Sequence, residues 1–178
     1  MIASTRLTLA IAASALALVF GAASASAQGA PGAQPVELGK YNAWGAYSAA
    51  VKTGKVCYAL AQPGARRPTG LNRDPAYFFI SNRPKDGVKN EVSIVVGFSV
   101  KPESAVQLAI GGQSFSLYAR ADGAFMQSAE EEAKLIQAMK GGSDLSVKST
   151  SLRGNVTTDT YSLAGISAAL DRIDKECR

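Results

Sequence analysis

Ten residues in mid-chain constrain the fold more than any others. Val92, Ile94, Val96, Phe98 and Val100 alternate with Glu91, Ser93, Val95, Gly97 and Ser99. Successive side chains of an extended strand point to opposite faces, so a period of two buries one set and turns the other toward water. A helix cannot gather residues at that spacing onto one face, so the stretch commits its surroundings to a sheet. The same period recurs at Val106, Leu108 and Ile110, and again at Phe115, Leu117 and Ala119. Between them Gly111-Gly112 supplies a two-residue turn in which both positions tolerate positive φ, so the pair reads as a hairpin. Leu145 and Val147 open another strand, Arg153-Gly154-Asn155 turns it, and the threonine-rich residues 156–161 return. Upstream, residues 41–48 and 55–61 read as two further strands.

Pro75 and Pro84 frame one more strand over 76–82, because proline interrupts a ladder and favours strand ends. Tyr77, Phe78, Phe79 and Ile80 make it apolar on both faces, so it is expected to be covered on both sides. Arg73, Asp74, Arg83, Lys85 and Asp86 then fall where a buried strand meets water.

Two helices interrupt this pattern. Ser128 and Glu131 have the spacing of a capping box, Leu135, Ile136 and Met139 form an apolar stripe, and Gly141-Gly142 ends the segment. Glu130, Glu131 and Glu132 lie in its first turn, where the helix dipole favours negative charge, and this accounts for them without catalysis or metal binding. Leu163, Ile166, Leu170, Ile173 and Cys177 are spaced 3, 4, 3, 4 and share one face of a second helix. The fold class is therefore mainly β: sandwich-like, with antiparallel strands and two helices, one after the central hairpin and one C-terminal. By strict count it is α+β.

Residues 1–27 read as an export signal. Arg6 precedes an apolar run from Leu7 to Phe20, and Ala25 and Ala27 stand at the −3 and −1 positions of a cleavage site expected after Ala27. The run is shorter than the ~20 residues a helix needs to span a bilayer, so no transmembrane span is expected in the mature form. Residues 28–39, with Pro31, Pro35 and several small residues, read as a flexible lead-in. Residues 40–178 then form one domain, long enough for a substantial core.

Two cysteines in an exported chain default to one disulfide, Cys57–Cys177. On the chain-entropy model, closing so long a loop stabilises by about 4–5 kcal/mol. If Val56, Tyr58 and Leu60 face the core, Cys57 looks away from it and the terminal helix covers the sheet's other side. The C-x-x-C spacing of a redox-active pair is missing. Trp44, the sole tryptophan, is either a ligand-stacking residue or core, and core is the commoner fate of such a side chain.

The chain has no histidine, so histidine-based triads and histidine metal sites are excluded. It carries no G-x-S-x-G, no S-x-x-K and no phosphate-cradling G-x-x-x-x-G-K. No catalytic residue, cofactor or metal is expected, and nothing suggests nucleic acid as a partner. Charge is uneven. From Lys40 to Lys89 there are nine basic and two acidic residues, a net of +7; from Asn90 onward nine basic and eleven acidic, a net of −2. Such asymmetry suits an anionic partner, with Arg66, Arg67, Arg73, Arg83, Lys85 and Lys89 as its contacts, unless folding scatters these charges over several faces. Arg66-Arg67 follows Pro63-Gly64 and is expected on a mobile loop.

Several segments in order carry a family likeness: Gly39-Lys40-Tyr41 through Trp44, KVCYALAQP at 55–63, NRDPAYFFISNRP at 72–84, NEVSIVVGF at 90–98 and TDTYSLAGISAALDRIDKEC at 158–177. Together they resemble the invasion associated locus B family of exported bacterial proteins. The resemblance implies a Gram-negative envelope protein, periplasmic or outer-membrane associated, with a mostly β fold, a terminal helix and a link to host-cell invasion. It brings no catalytic motif. Many relatives have another cysteine shortly after the tryptophan; here Gly45-Ala46-Tyr47-Ser48 has none, which favours the long-range bridge. The leading functional expectation is a non-enzymatic envelope protein that binds a protein or an anionic surface component. The alternatives are a periplasmic chaperone capturing strands at a sheet edge and a carboxylate-dependent hydrolase.

Overall fold

A computed structural model describes residues 34–178, so the expected signal at 1–27 and the first half of the lead-in, 28–33, lie outside the described residues. The chain forms β1 (Val36–Tyr41), β2 (Trp44–Val51), β3 (Gly54–Ala61), β4 (Ala65–Arg67), β5 (Tyr77–Arg83), β6 (Val88–Val95), β7 (Val106–Ile110), β8 (Gln113–Arg120) and β9 (Gly123–Phe125). Helix α1 (Ala129–Gly141), strands β10 (Asp144–Thr150) and β11 (Val156–Ser162), and helix α2 (Ile166–Glu176) complete it. All strand pairs are antiparallel, and the eleven strands form one open sheet in the order β1-β2-β3-β5-β6-β9-β8-β7-β10-β11-β4.

One strand makes this sheet sandwich-like. Residues Gln113 to Leu117 of β8 pair with β7, whereas Tyr118 to Arg120 pair with β9. A strand that changes partners midway turns a corner and lets the two halves of a sheet face one another. Phe78 of β5 accordingly meets Tyr161 of β11 edge-on, with ring centroids 5.7 Å apart, and Trp44 meets Phe78 at 5.8 Å. Trp44 is buried and donates its indole N–H to the Ser162 carbonyl at 3.0 Å, so it is a core residue.

The hairpin at Gly111-Gly112, the β10–β11 pair and both helices form as their periodicities require. The Ser128 hydroxyl accepts from the Glu131 amide at 3.3 Å, and Leu135, Ile136 and Met139 are buried. In α2, Ile166, Ala169, Leu170 and Ile173 are buried against strands whose inner faces carry small residues, Ala46, Ala59 and Ala61. Gly165, with φ +91°, lets the start of α2 come against β1, where any Cβ would strike the Tyr41 carbonyl.

Six expectations are corrected. The alternating run over 91–100 does not stay extended to its end: β6 stops at Val95, Gly97 turns the chain at φ +78°, and Val100 makes only an isolated bridge to Ser151. The lead-in ends early, since Val36–Tyr41 pairs with β2 across a bulge between Glu37 and Gly39. Correspondingly, Tyr41 ends β1, and the strand expected over 41–48 runs instead from Trp44 to Val51. Residues Arg66 and Arg67 are not on a loop; Ala65–Arg67 is an edge strand paired antiparallel with Thr158–Thr160 of β11. Cys57 faces the core with Ala59 and Ala61, and α2 lies on that inner side, so Val56, Tyr58 and Leu60 face outward. Strand β5 is covered on one face only: Phe78, Ile80 and Asn82 are buried, but Tyr77, Phe79 and Ser81 are half-exposed.

Candidate functional site

Several basic residues of the first half are drawn into ion pairs near the two ends of β5. At its start, Arg73 from the preceding loop and Arg66 from β4 converge on Asp159 of β11. Arg73 reaches Asp159 Oδ1 at 2.8 Å and Arg66 Nε reaches Oδ2 at 3.3 Å. Arg66 also donates to the carbonyls of Asp74 and Val96, at 2.9 and 3.2 Å, pinning the edge strand to the opposite half of the sheet. The Arg73 and Asp159 side chains are each only 6 % exposed, so this is a buried pair rather than a surface one. Burial, with the Asp159 charge nearby, pushes the Tyr161 hydroxyl far above the ordinary tyrosine range.

At the far end of β5, Arg83 bonds Glu91 and Asp86. The Arg83 hydrogen bond holds the Glu91 carboxyl below the ordinary carboxylate value. Lys89 pairs with Asp174 of α2 at 3.3 Å, and Lys55 with Glu176. Arg67 and Lys85 are exposed, and among the described residues neither has an ion-pair partner. The six expected contacts thus form two separate groups, and four of the six have a carboxylate partner within the chain, Arg66 and Arg73 sharing Asp159.

Cys57 and Cys177 are bonded, with Cα atoms 5.9 Å apart and 120 residues between them. No group of three or more histidine, cysteine, aspartate or glutamate side chains that could hold a metal occurs among the described residues. A cleft of about 440 Å³ lies beside the Arg73–Asp159 pair; its titratable lining residues are Arg73, Asp74 and Arg153. Of the three first-turn glutamates, Glu132 also ties α1 to the sheet. Its Oε1 accepts the Val92 amide at 2.9 Å, and burial raises its carboxyl.

The outer face of the sheet offers something different. Leu60, Phe79, Ser93, Phe125 and Tyr118 stand opposite one another in successive register across β3, β5, β6, β9 and β8. Tyr47 and Tyr58 are opposite one another in β2 and β3, and Tyr77 lies two residues before Phe79. Neighbouring rings are in contact: Tyr47–Tyr58 stacked at 5.3 Å, Tyr58–Phe79 at 5.9 Å, Tyr77–Phe79 at 6.0 Å and Tyr118–Phe125 at 5.6 Å. Tyr118 is 47 % exposed and the other five are half-buried. Desolvation, then the neighbouring Tyr47, raises the Tyr58 hydroxyl. Six half-buried or exposed aromatic side chains therefore lie on the outer face in two contacting groups, four across β2, β3 and β5 and two across β8 and β9, with Ser93 of β6 between them.

Sequence reasoning passed over these rings. Tyr47, Tyr58 and Phe79 each lie in a strand whose alternate positions are also apolar, so period two alone does not tell the outer set from the inner. Which face the rings occupy becomes visible only once register is known and Tyr47 is seen opposite Tyr58, and Tyr118 opposite Phe125.

A protein-family model described as "Invasion associated locus B (IalB) protein" matches residues 44–174. No curated protein and no solved structure matches the chain.

Proposed function

Because the chain belongs to the invasion associated locus B family, we propose that it is an exported, non-enzymatic envelope protein that works by binding a macromolecular partner through its outer aromatic face. The observation that carries this reading is the set of six outer-face rings, four in one contacting group and two in another. Large aromatic side chains left half-exposed on one sheet face resemble the anchors of recognition surfaces, where they are enriched and contribute most of the energy. The cations support it less than their number suggests, because Arg66, Arg73, Arg83 and Lys89 already have carboxylate partners within the chain. Capture of a foreign strand at a sheet edge has little support: the two edge strands are β1, which carries a bulge, and β4, which has three residues.

Site-specific photocrosslinking in intact envelopes tests the surface. A photoreactive phenylalanine analogue at Tyr58 or Tyr118 is expected to give discrete adducts, whereas the same group at Arg67 or Lys85 is expected to give none. Adducts from the cationic positions alone would move the contact off the aromatic face and overturn the proposal.

A further inference from the structure

The outer face ends, near the β1–β2 turn, in a groove of about 480 Å³ whose lining includes Lys40, Gly45, Tyr47, Leu60, Gln62 and Tyr77. We infer that this groove binds an acidic oligosaccharide, with a sugar ring held against its tyrosines and a uronate carboxylate on Lys40. This deepens the reading of the outer face as the contact surface and rests on it.

The groove's walls follow from register and from one missing side chain, whose space the Tyr47 ring takes. Lys40, Gly45 and Leu60 are opposite one another across β1, β2 and β3. At Gly45 there is no side chain, and a Cβ there would come within 2.6 Å of the Tyr47 ring, which leans over the position. Tyr47 is fixed by stacking on Tyr58, and Tyr77 by contact with Phe79. Walls held in place before a ligand arrives lose little rotamer freedom on binding.

The chemistry of the walls selects the ligand. A sugar ring presents a face of polarised C–H groups and an edge of hydroxyls. The negative face of an aromatic ring attracts the first, and tyrosine hydroxyls and amide side chains satisfy the second. Asn42 and Gln62, both exposed at the rim, supply the amides. Among the described residues Lys40 is the one cation lining the groove, and no acid lines it, so a carboxylate on the sugar is complemented and a cationic ligand is not. A single-stranded nucleic acid needs a track of cations along its backbone, which one lysine does not provide. Insertion into a bilayer needs protruding apolar side chains, whereas tyrosines with hydroxyls flank this groove.

Calorimetric titration of the full chain tests the inference with three probes: a galacturonate hexamer, a hexamer alternating glucuronate with N-acetylglucosamine, and a neutral glucose hexamer. At least one acidic hexamer is expected to bind at least ~10-fold tighter than the neutral one, and the one that does distinguishes a plain polyuronate from an amino-sugar matrix glycan. Tyr77→Ser should weaken that binding by ~10-fold or more, and Lys40→Gln should bring the acidic hexamer down to the neutral level. Because Lys40 is exposed, its variant carries the test even if Tyr77→Ser perturbs folding. If both acidic hexamers bind no better than the neutral one, or if Lys40→Gln leaves the difference intact, the inference is overturned. Adducts at Tyr58 combined with no uronate binding would sink the glycan alone and keep the aromatic face; adducts absent from that face would remove the reading beneath it.

Discussion

Cations and aromatics crowd the same part of this chain, and the fold treats them in opposite ways. Arg66 and Arg73 are pulled inward onto Asp159, and Arg83 lies flat along Glu91 and Asp86. Tyr58, Tyr77 and Phe79, on neighbouring strands, are left half in water. Charge that looks available in a sequence can be consumed as internal fastening, while apolar rings that look like core can end up as surface. The deciding factor in both cases lies far along the chain. Asp159 is 93 residues from Arg66 and 86 from Arg73, and among the described residues no element buries the outer side of β5.

The contrast is most severely tested at Arg73. Removing its guanidinium leaves Asp159 buried with only the longer Arg66 contact, and losing one partner of a buried pair typically costs about 3–5 kcal/mol. Denaturant unfolding of Arg73→Ala, with the disulfide intact, should show a loss of that order, and a loss under ~1 kcal/mol would mean the pair is a surface feature after all. The two faces of β5 provide the next comparison. Phe78→Ala, at a fully buried position, should cost about 3–5 kcal/mol. Phe79→Ala gives up mainly its contacts with Tyr58 and Tyr77 and should cost about 1 kcal/mol. Equal losses would erase the distinction between core ring and surface ring. The double charge reversal Arg67→Glu, Lys85→Glu touches no ion pair among the described residues and should change stability by no more than about 0.5 kcal/mol.

The smallest effect is one of pH. The Arg83 hydrogen bond lowers the folded Glu91 carboxyl below its ordinary value of 4.5. A depressed carboxyl contributes stability that is present above the unfolded value and lost as pH falls through the folded one. The stability gap between the parent chain and Glu91→Gln should therefore be open at neutral pH and close below about pH 4.5, as followed by thermal midpoints. It should be small and shrink in salt, because both side chains are about a third exposed. Glu132, raised by burial, works in the opposite direction; the Glu91 charge adds to that rise, so Glu91→Gln relaxes part of it and narrows the difference further.

The legible parts of the fold were those whose cause is local. Gly111-Gly112 between two alternating runs, Ser128 three residues before Glu131, and the stripe from Leu163 to Cys177 each contain their own instruction. The disulfide was legible too, because two cysteines leave one pairing within the chain. The hidden parts were those that need a distant segment. Ala65–Arg67 is a strand only because β11 accepts it. Val36–Tyr41 follows a proline-marked stretch and is recruited by β2. Whether β5 has one cover or two depends on what the rest of the chain places over it. The candidate surface fell into this second group, and the cations that were legible as residues were not legible as pairs.

The sulfur bridge between β3 and α2 orders events as well as parts. It cannot close until residue 177 has been made. An oxidised chain is therefore one made to its final turn, with eight strands, β4 to β11, enclosed in a single covalent loop.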